Sequence, residues 1–297
     1  MSRRRKLIFA AAVLLIAVSG SMLLWDYVNQ RKSEQIYEEL ASQVEETTQA
    51  PQEETEEAYV SPIDFEELWA INEDVVGWLT IPGTVIDYPI LHDPESNDTY
   101  LYTDIEGNRT AAGSIYLDCD NEGDFSDLHN VLYGHHMKNG TMFKDIMKFR
   151  EQDFMEEHQE AYIYLPDREI RMRPFACLYT TSDGIRRMTK FDDEETFQTY
   201  VAEMTKGSTA YIEPEQEVER MFSFVTCSYE FDDARTIMYA YEVPEDGEEL
   251  ADDGELADDG EDLADDGELA DDGKDLTDDG ELTDGGASAD DGESAEG

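Results

Sequence analysis

The stretch Met221-Phe222-Ser223-Phe224-Val225-Thr226-Cys227, with Arg235-Thr236-Ile237-Met238-Tyr239-Ala240-Tyr241 after a polar connection from Ser228 to Ala234, decides the fold. Both halves are rich in aromatic and β-branched residues, the composition of a pleated, half-buried strand rather than of a helix. Paired antiparallel, they place Cys227 at the close of one strand opposite Arg235 at the opening of the next. Residues opposed in that way have Cβ atoms about 5 Å apart. A guanidinium beside a thiol favours the nucleophilic thiolate and leaves a fixed cation where an oxyanion develops.

A lone cysteine at a strand end is by default a small core residue. A cysteine nucleophile needs a partner, usually histidine, and the chain has five: His92, His129, His135, His136 and His158. Two of them close the segment Asn130-Val131-Leu132-Tyr133-Gly134-His135-His136-Met137, just past a short apolar strand. Alternation puts Val131, Tyr133 and His135 on one face and Leu132 and His136 on the other, so only one of the pair can face Cys227. The cysteines Cys119, Cys177 and Cys227 show no CxxC spacing, and His135-His136 are adjacent rather than helically spaced. No zinc site is legible, no metal and no cofactor is expected, and Cys177, inside an expected strand, belongs to the core.

At these residues the chain resembles the class B sortases, membrane-anchored cysteine transpeptidases of Gram-positive bacteria. The likeness is carried by Tyr133-Gly134-His135, by Thr226-Cys227 at a strand end and by Arg235 eight residues later. It extends to Asn97-Asp98-Thr99-Tyr100-Leu101, to Ala112-Gly113-Ser114-Ile115-Tyr116-Leu117-Asp118 and to Met137-Lys138-Asn139-Gly140-Thr141-Met142-Phe143, within a span from about Phe65 to Val243. The family's nucleophile motif, Thr-Leu-x-Thr-Cys, reads Ser223-Phe224-Val225-Thr226-Cys227 here, a departure at two positions that bears on the substrate pocket more than on the nucleophile.

The resemblance implies a mainly β fold, a closed β-barrel of about eight strands with an N-terminal helix and helical insertions. It implies Cys227 as nucleophile, His135 as the proton-transfer group and Arg235 as the positive partner, with Asn97, Leu101, Tyr133 and Thr226 near the substrate. The substrate it implies is a C-terminal sorting signal of a secreted protein, and the acceptor an amine of a peptidoglycan precursor or of a pilin lysine. Two other readings fit the residues: a secreted cysteine protease, in which water resolves the thioester, and a non-enzymatic surface protein displaying its acidic tail.

The rest of the chain arranges itself around that domain. Residues 1–6 are basic and Leu7 to Trp25 is a nineteen-residue apolar run, about the length of one membrane-spanning helix. The basic flank places the N-terminus inside and the remainder outside the cell membrane; a signal peptide cleaved near Ser19-Gly20-Ser21 is the alternative. Residues 26–60, poor in large apolar groups, read as an acidic extracellular stalk with nothing placed to join a core. Ser61-Pro62-Ile63-Asp64-Phe65-Glu66-Glu67-Leu68-Trp69 reads as a helix start, and two strands around Pro82-Gly83 follow.

Strands are expected at 113–117, 130–133, 161–165 and 169–180, and helices at 142–150 and 193–204. This makes 61–244 one barrel-like domain with added helices. Residues 245–297 repeat variants of Glu-Leu-Ala-Asp-Asp-Gly, with twenty-five acidic residues against Lys274, 24 of the chain's 52 net negative charges. Such a segment reads as a disordered tail. The acidic excess left without it speaks against nucleic acid as a partner.

Overall fold

The structure, a computed structural model, describes residues 3–48, 59–181, 184–228 and 233–244. The acidic tail expected at 245–297 lies outside them, as do 49–58 of the expected stalk.

Among the described residues nine strands form the sheet: β1 Val75–Thr80, β2 Asp87–Leu91, β3 Ile115–Leu117, β4 His129–Tyr133, β5 Ala161–Tyr164, β6 Glu169–Thr181, β7 Ala210–Tyr211, β8 Met221–Cys227 and β9 Ala234–Val243. Their order is β5-β1-β2-β3-β4-β8-β9-β6-β7, and a further pairing of β5 with β6 closes eight of them into a barrel, leaving β7 on the outer edge of β6. The turn between β1 and β2 is set by Pro82 and Gly83: Thr84 N–H donates to Ile81 O at 3.2 Å, and Gly83 takes φ +77°. A proline before a residue with positive φ is the type II arrangement, and glycine is the residue that adopts it without strain.

β8 sits between β4, which it pairs in parallel, and β9, which it pairs antiparallel. Phe222 and Phe224 enter the barrel core with Met238 and Ala240, while Met221 packs on the other side with Ile237, Tyr239 and Tyr241 under helix α4 (Glu194–Thr205). A strand buried on both faces has no polar face to alternate with, which is why its sequence is almost continuously apolar. α4 starts at Asp193, whose carboxylate accepts from Thr196 N–H at 2.8 Å, the usual satisfaction of an otherwise orphan donor.

Several elements differ from the sequence expectation. The helix expected at 142–150 is a 3-10 helix, Phe143–Arg150, with Phe143, Ile146 and Phe149 buried. The short helix α3, Gln152–Glu157, and strand β7 are additions to the expected set. Helix α2, Phe65–Ile71, begins four residues after Ser61 and is capped by Asp64, which accepts from Glu67 N–H.

The largest correction concerns α1, a single helix of 46 residues, Arg3–Thr48. Its first part, with Phe9, Leu14, Ile16 and Leu23 exposed, is long and apolar enough to cross a membrane. Its second part is not a bare spacer. Tyr37, Leu40 and Val44 are buried in the core cluster of the barrel, at the three- and four-residue spacing that puts side chains on one helix face. Tyr37 packs edge-on against Tyr88 at 5.5 Å between ring centroids, and its hydroxyl lies 3.2 Å from Ser114 Oγ.

Candidate active site

Cys227 and Arg235 are direct register partners at the open end of the β8–β9 pair. The hairpin is closed just beyond them by Ser228 N–H donating to Ala234 O at 3.0 Å. Asp233, with φ +64°, turns the chain back into β9, and its carboxylate meets Arg235 Nη2 at 3.0 Å. Arg235 Nη1 also donates to the Ala234 carbonyl at 3.1 Å, so the half-buried guanidinium is anchored from behind.

The histidines enter from β4. Gly134 N–H continues the ladder by donating to Val225 O at 3.1 Å. A Cβ at this glycine would lie 2.5 Å from Ile115 Cδ1 and 2.6 Å from Phe143 Cγ, so no larger residue fits. His135 then turns its ring toward the segment before β3: Nε2 is 2.7 Å from the Leu101 carbonyl, and the ring lies 5.4 Å from that of Tyr102. Gly113, at φ +56°, lets that carbonyl approach, since a Cβ there would lie 2.4 Å from Leu101 O. A carbonyl only accepts, so Nε2 carries a hydrogen and Nδ1 is the ring nitrogen that this carbonyl leaves unengaged.

His135, Cys227 and Arg235 line one cavity of about 360 Å³. Of the four residues expected near the substrate, Leu101, Tyr133 and Thr226 line it as well. Asn97 does not: its side chain accepts from Cys119 N–H at 2.8 Å and donates to Asp118 at 3.2 Å, holding the turn after β3. Thr226 Oγ1 is buried with no hydrogen-bond partner among the described residues, an acceptor and donor unspent in the cavity wall. His136 is absent from the lining, as alternation has it, yet it is no bystander. Its Nδ1 lies 3.1 Å from the Cys227 carbonyl oxygen.

Sequence reasoning missed two arginines of the same wall, Arg186 and Arg187, carried by the 3-10 turn Gly184–Arg187. Arg187 binds both oxygens of Asp118, at 2.8 and 2.7 Å, and Asp120 at 3.0 Å. Tyr133 Oη also donates to Asp118, at 2.7 Å. Burial pushes the Asp118 carboxyl up, but Arg187, Tyr133 and the Asp120 N–H outweigh it and leave it below the usual carboxylate range. Burial and the Asp118 charge push the Tyr133 phenol far above its ordinary value. Only the pairing of a basic turn with an acidic one hints at this in the sequence, across 69 residues.

Asp118, Cys119 and Asp120 bring ligand atoms within 4.8 Å of one another. The guanidinium of Arg187 already occupies both oxygens of Asp118, so a cation stands where a metal would bind. Burial first, then the charges of Asp118 and Asp120, push the Cys119 thiol up. Burial pushes the Cys177 thiol up further, and as expected it is a core residue. A thiol so held is a poor nucleophile.

The Sortase domain family matches residues 79–243 of this chain. Sortase B of Listeria monocytogenes is 34% identical over 174 residues, which cover 57% of this chain and 69% of that protein. Among solved structures, a Staphylococcus aureus sortase B-substrate complex superposes with a TM-score of 0.64 at 27% identity, covering 73% of this chain and 98% of that one. A sortase B complexed with triglycine gives the same TM-score and identity, covering 72% and 98%. The barrel closure is the one expected from the sequence, and with these matches the chain belongs to the sortase family, as a cysteine transpeptidase of its class B.

Proposed function

We propose that Cys227, His135 and Arg235 carry out the transfer, on a C-terminal sorting signal of a secreted protein. The observation that carries this assignment is the direct register pairing of Cys227 with Arg235, in the same cavity that His135 lines.

The chemistry follows from what each group can do. Cys227 Sγ attacks the carbonyl carbon of the scissile peptide bond, and the electron pair moves onto the carbonyl oxygen. Arg235, anchored from behind by Asp233 and Ala234, offers that oxyanion fixed positive charge, the kind of preorganised stabilisation that removes solvent reorganisation from the barrier. His135 delivers the proton on Nδ1 to the leaving amine as the C–N bond breaks. The product is a thioester on Cys227. A second amine then attacks the thioester, His135 takes its proton, and Cys227 leaves as the thiolate.

The apolar walls Leu101, Tyr116, Val225 and Ile237 favour an extended peptide with apolar or small side chains, and Thr226 Oγ1 supplies a hydrogen bond to its backbone. The acceptor is an amine of a peptidoglycan precursor or of a pilin. Arg4 and Arg5 ahead of the apolar part of α1 support an N-terminus in the cytoplasm and a barrel outside the cell.

The test is incubation of the purified protein with a library of sorting-signal peptides and a nucleophilic amine, read by mass spectrometry. Amine-ligated peptide is the expected product. Hydrolysed peptide alone, unaffected by added amine, would make the protein a protease instead.

A further inference from the structure

We propose that His136 is a positioning residue for the nucleophile: its ring replaces the strand that ends at Tyr133 and fixes the carbonyl of Cys227. The inference rests on the reading that Cys227 is the nucleophile.

β4 and β8 run parallel, in a register that pairs Tyr133 with Val225. The last backbone bond of this ladder is Gly134 N–H to Val225 O, at 3.1 Å. On a parallel edge the next carbonyl needing a donor is two residues on, which is that of Cys227. A continued β4 would supply the N–H of residue 136. The backbone instead bends away: His136 forms an antiparallel bridge with Met142, and Phe143 N–H donates to His135 O at 3.0 Å. The ring of His136 fills the vacated donor position, with Nδ1 3.1 Å from Cys227 O.

The second ring nitrogen settles the tautomer. Nε2 of His136 is in contact with the Nζ of Lys144. An ammonium only donates, so Nε2 accepts and the ring hydrogen sits on Nδ1, where the Cys227 carbonyl receives it. Cys227 is therefore held from both neighbours: its carbonyl from the β4 side by His136, and the following N–H from the β9 side by Ala234 O at 3.0 Å. These two bonds fix the peptide plane after Cys227, and with it the direction in which Sγ leaves the strand toward His135 and Arg235. A catalytic geometry displaced by a fraction of an ångström loses rate rather than substrate affinity.

The experiment compares His136→Leu and His136→Ala, which lack the donor, with His136→Asn, whose Nδ2 sits where the ring Nδ1 sits. Three quantities are read on each folded variant: kcat and KM for peptide transfer, the rate of Cys227 alkylation by iodoacetamide, and the thermal midpoint. The expected result for the donor-less variants is a kcat lowered about tenfold or more with KM within about twofold, and slower alkylation. His136→Asn should recover most of both rates.

The proposal is overturned if a folded donor-less variant keeps both rates near those of the parent, or if His136→Asn is folded and no better than the variants without the donor. Failure of the underlying reading looks different, since parent protein fully alkylated at Cys227 would then still transfer peptide.

Discussion

Arg187 holds Asp118 by two hydrogen bonds, Nε to Oδ2 at 2.8 Å and Nη2 to Oδ1 at 2.7 Å, although the Asp118 side chain is fully buried and that of Arg187 is 40% exposed. The pair ties the turn after β6 to the end of β3, and through Tyr133 to the strand that delivers His135. Removing Arg187 leaves the buried Asp118 carboxylate without its cationic partner, at a cost of about 3 kcal/mol. Arg187→Ala should therefore lower the unfolding free energy by about that amount and raise KM, because the cavity wall loses its anchor. Urea denaturation and peptide kinetics check this. A loss within about 0.5 kcal/mol, the range of ordinary surface changes, would show that the pair is not a structural clamp.

His129 gives the protein a pH dependence of its own. It is fully buried, with Nδ1 2.7 Å from Met188 O and Nε2 2.6 Å from Ser223 Oγ. Burial lowers its pKa from the ordinary 6.5 to about 4. Between those values the unfolded chain binds a proton at His129 and the native protein does not, so stability rises with pH. The contribution is complete above about 6.5 and is lost as the pH falls toward about 4, a change on the order of 3 kcal/mol. His129→Leu should flatten that part of the profile of thermal midpoint against pH. An unchanged slope in the variant would assign the dependence to other groups.

The second half of α1 should matter to the barrel's stability. Tyr37, Leu40 and Val44 bury their side chains in its core cluster, each worth about 1.5–3 kcal/mol at most. A protein beginning at residue 59 should unfold at lower temperature than one beginning at residue 29, by calorimetry. Coincident transitions for the two would mean that the helix does not dock in solution.

The register of the hairpin was legible because two aromatic and β-branched runs flank a short polar connection, and the eight-residue interval from Cys227 to Arg235 leaves little freedom in how the strands pair. The docking of α1 left a trace in the sequence, the three- and four-residue spacing of Tyr37, Leu40 and Val44, but it was outweighed by the polar residues around it. The role of His136 was hidden because alternation assumes a strand that continues, and β4 stops at Tyr133. Motif likeness puts Asn97 near the substrate, yet its two side-chain bonds go to the turn at Asp118 and Cys119. Arg187 could not be paired with Asp118 from sequence, because nothing local fixes a contact between two loops so far apart in the chain.

Arg235→Lys keeps the charge but loses the planar fork that binds Asp233 and Ala234 and that the proposed mechanism turns to the substrate oxyanion. A rate loss of about a hundredfold is expected, the scale of a lost oxyanion donor. His135→Ala should abolish turnover, while circular dichroism shows both variants folded. Near-full activity of Arg235→Lys would remove Arg235 from the role assigned to it.

The central claim is that the acyl group passes through Cys227. Intact-mass spectrometry of the protein mixed with a cleavable sorting-signal peptide, before and after addition of an amine, tests it most directly. The expected result is a protein heavier by the acyl fragment, with the added mass on Cys227, absent in Cys227→Ala and discharged by the amine as ligated peptide. Amine-ligated peptide formed by a folded Cys227→Ala protein, or an acyl group found on another residue, would contradict the account.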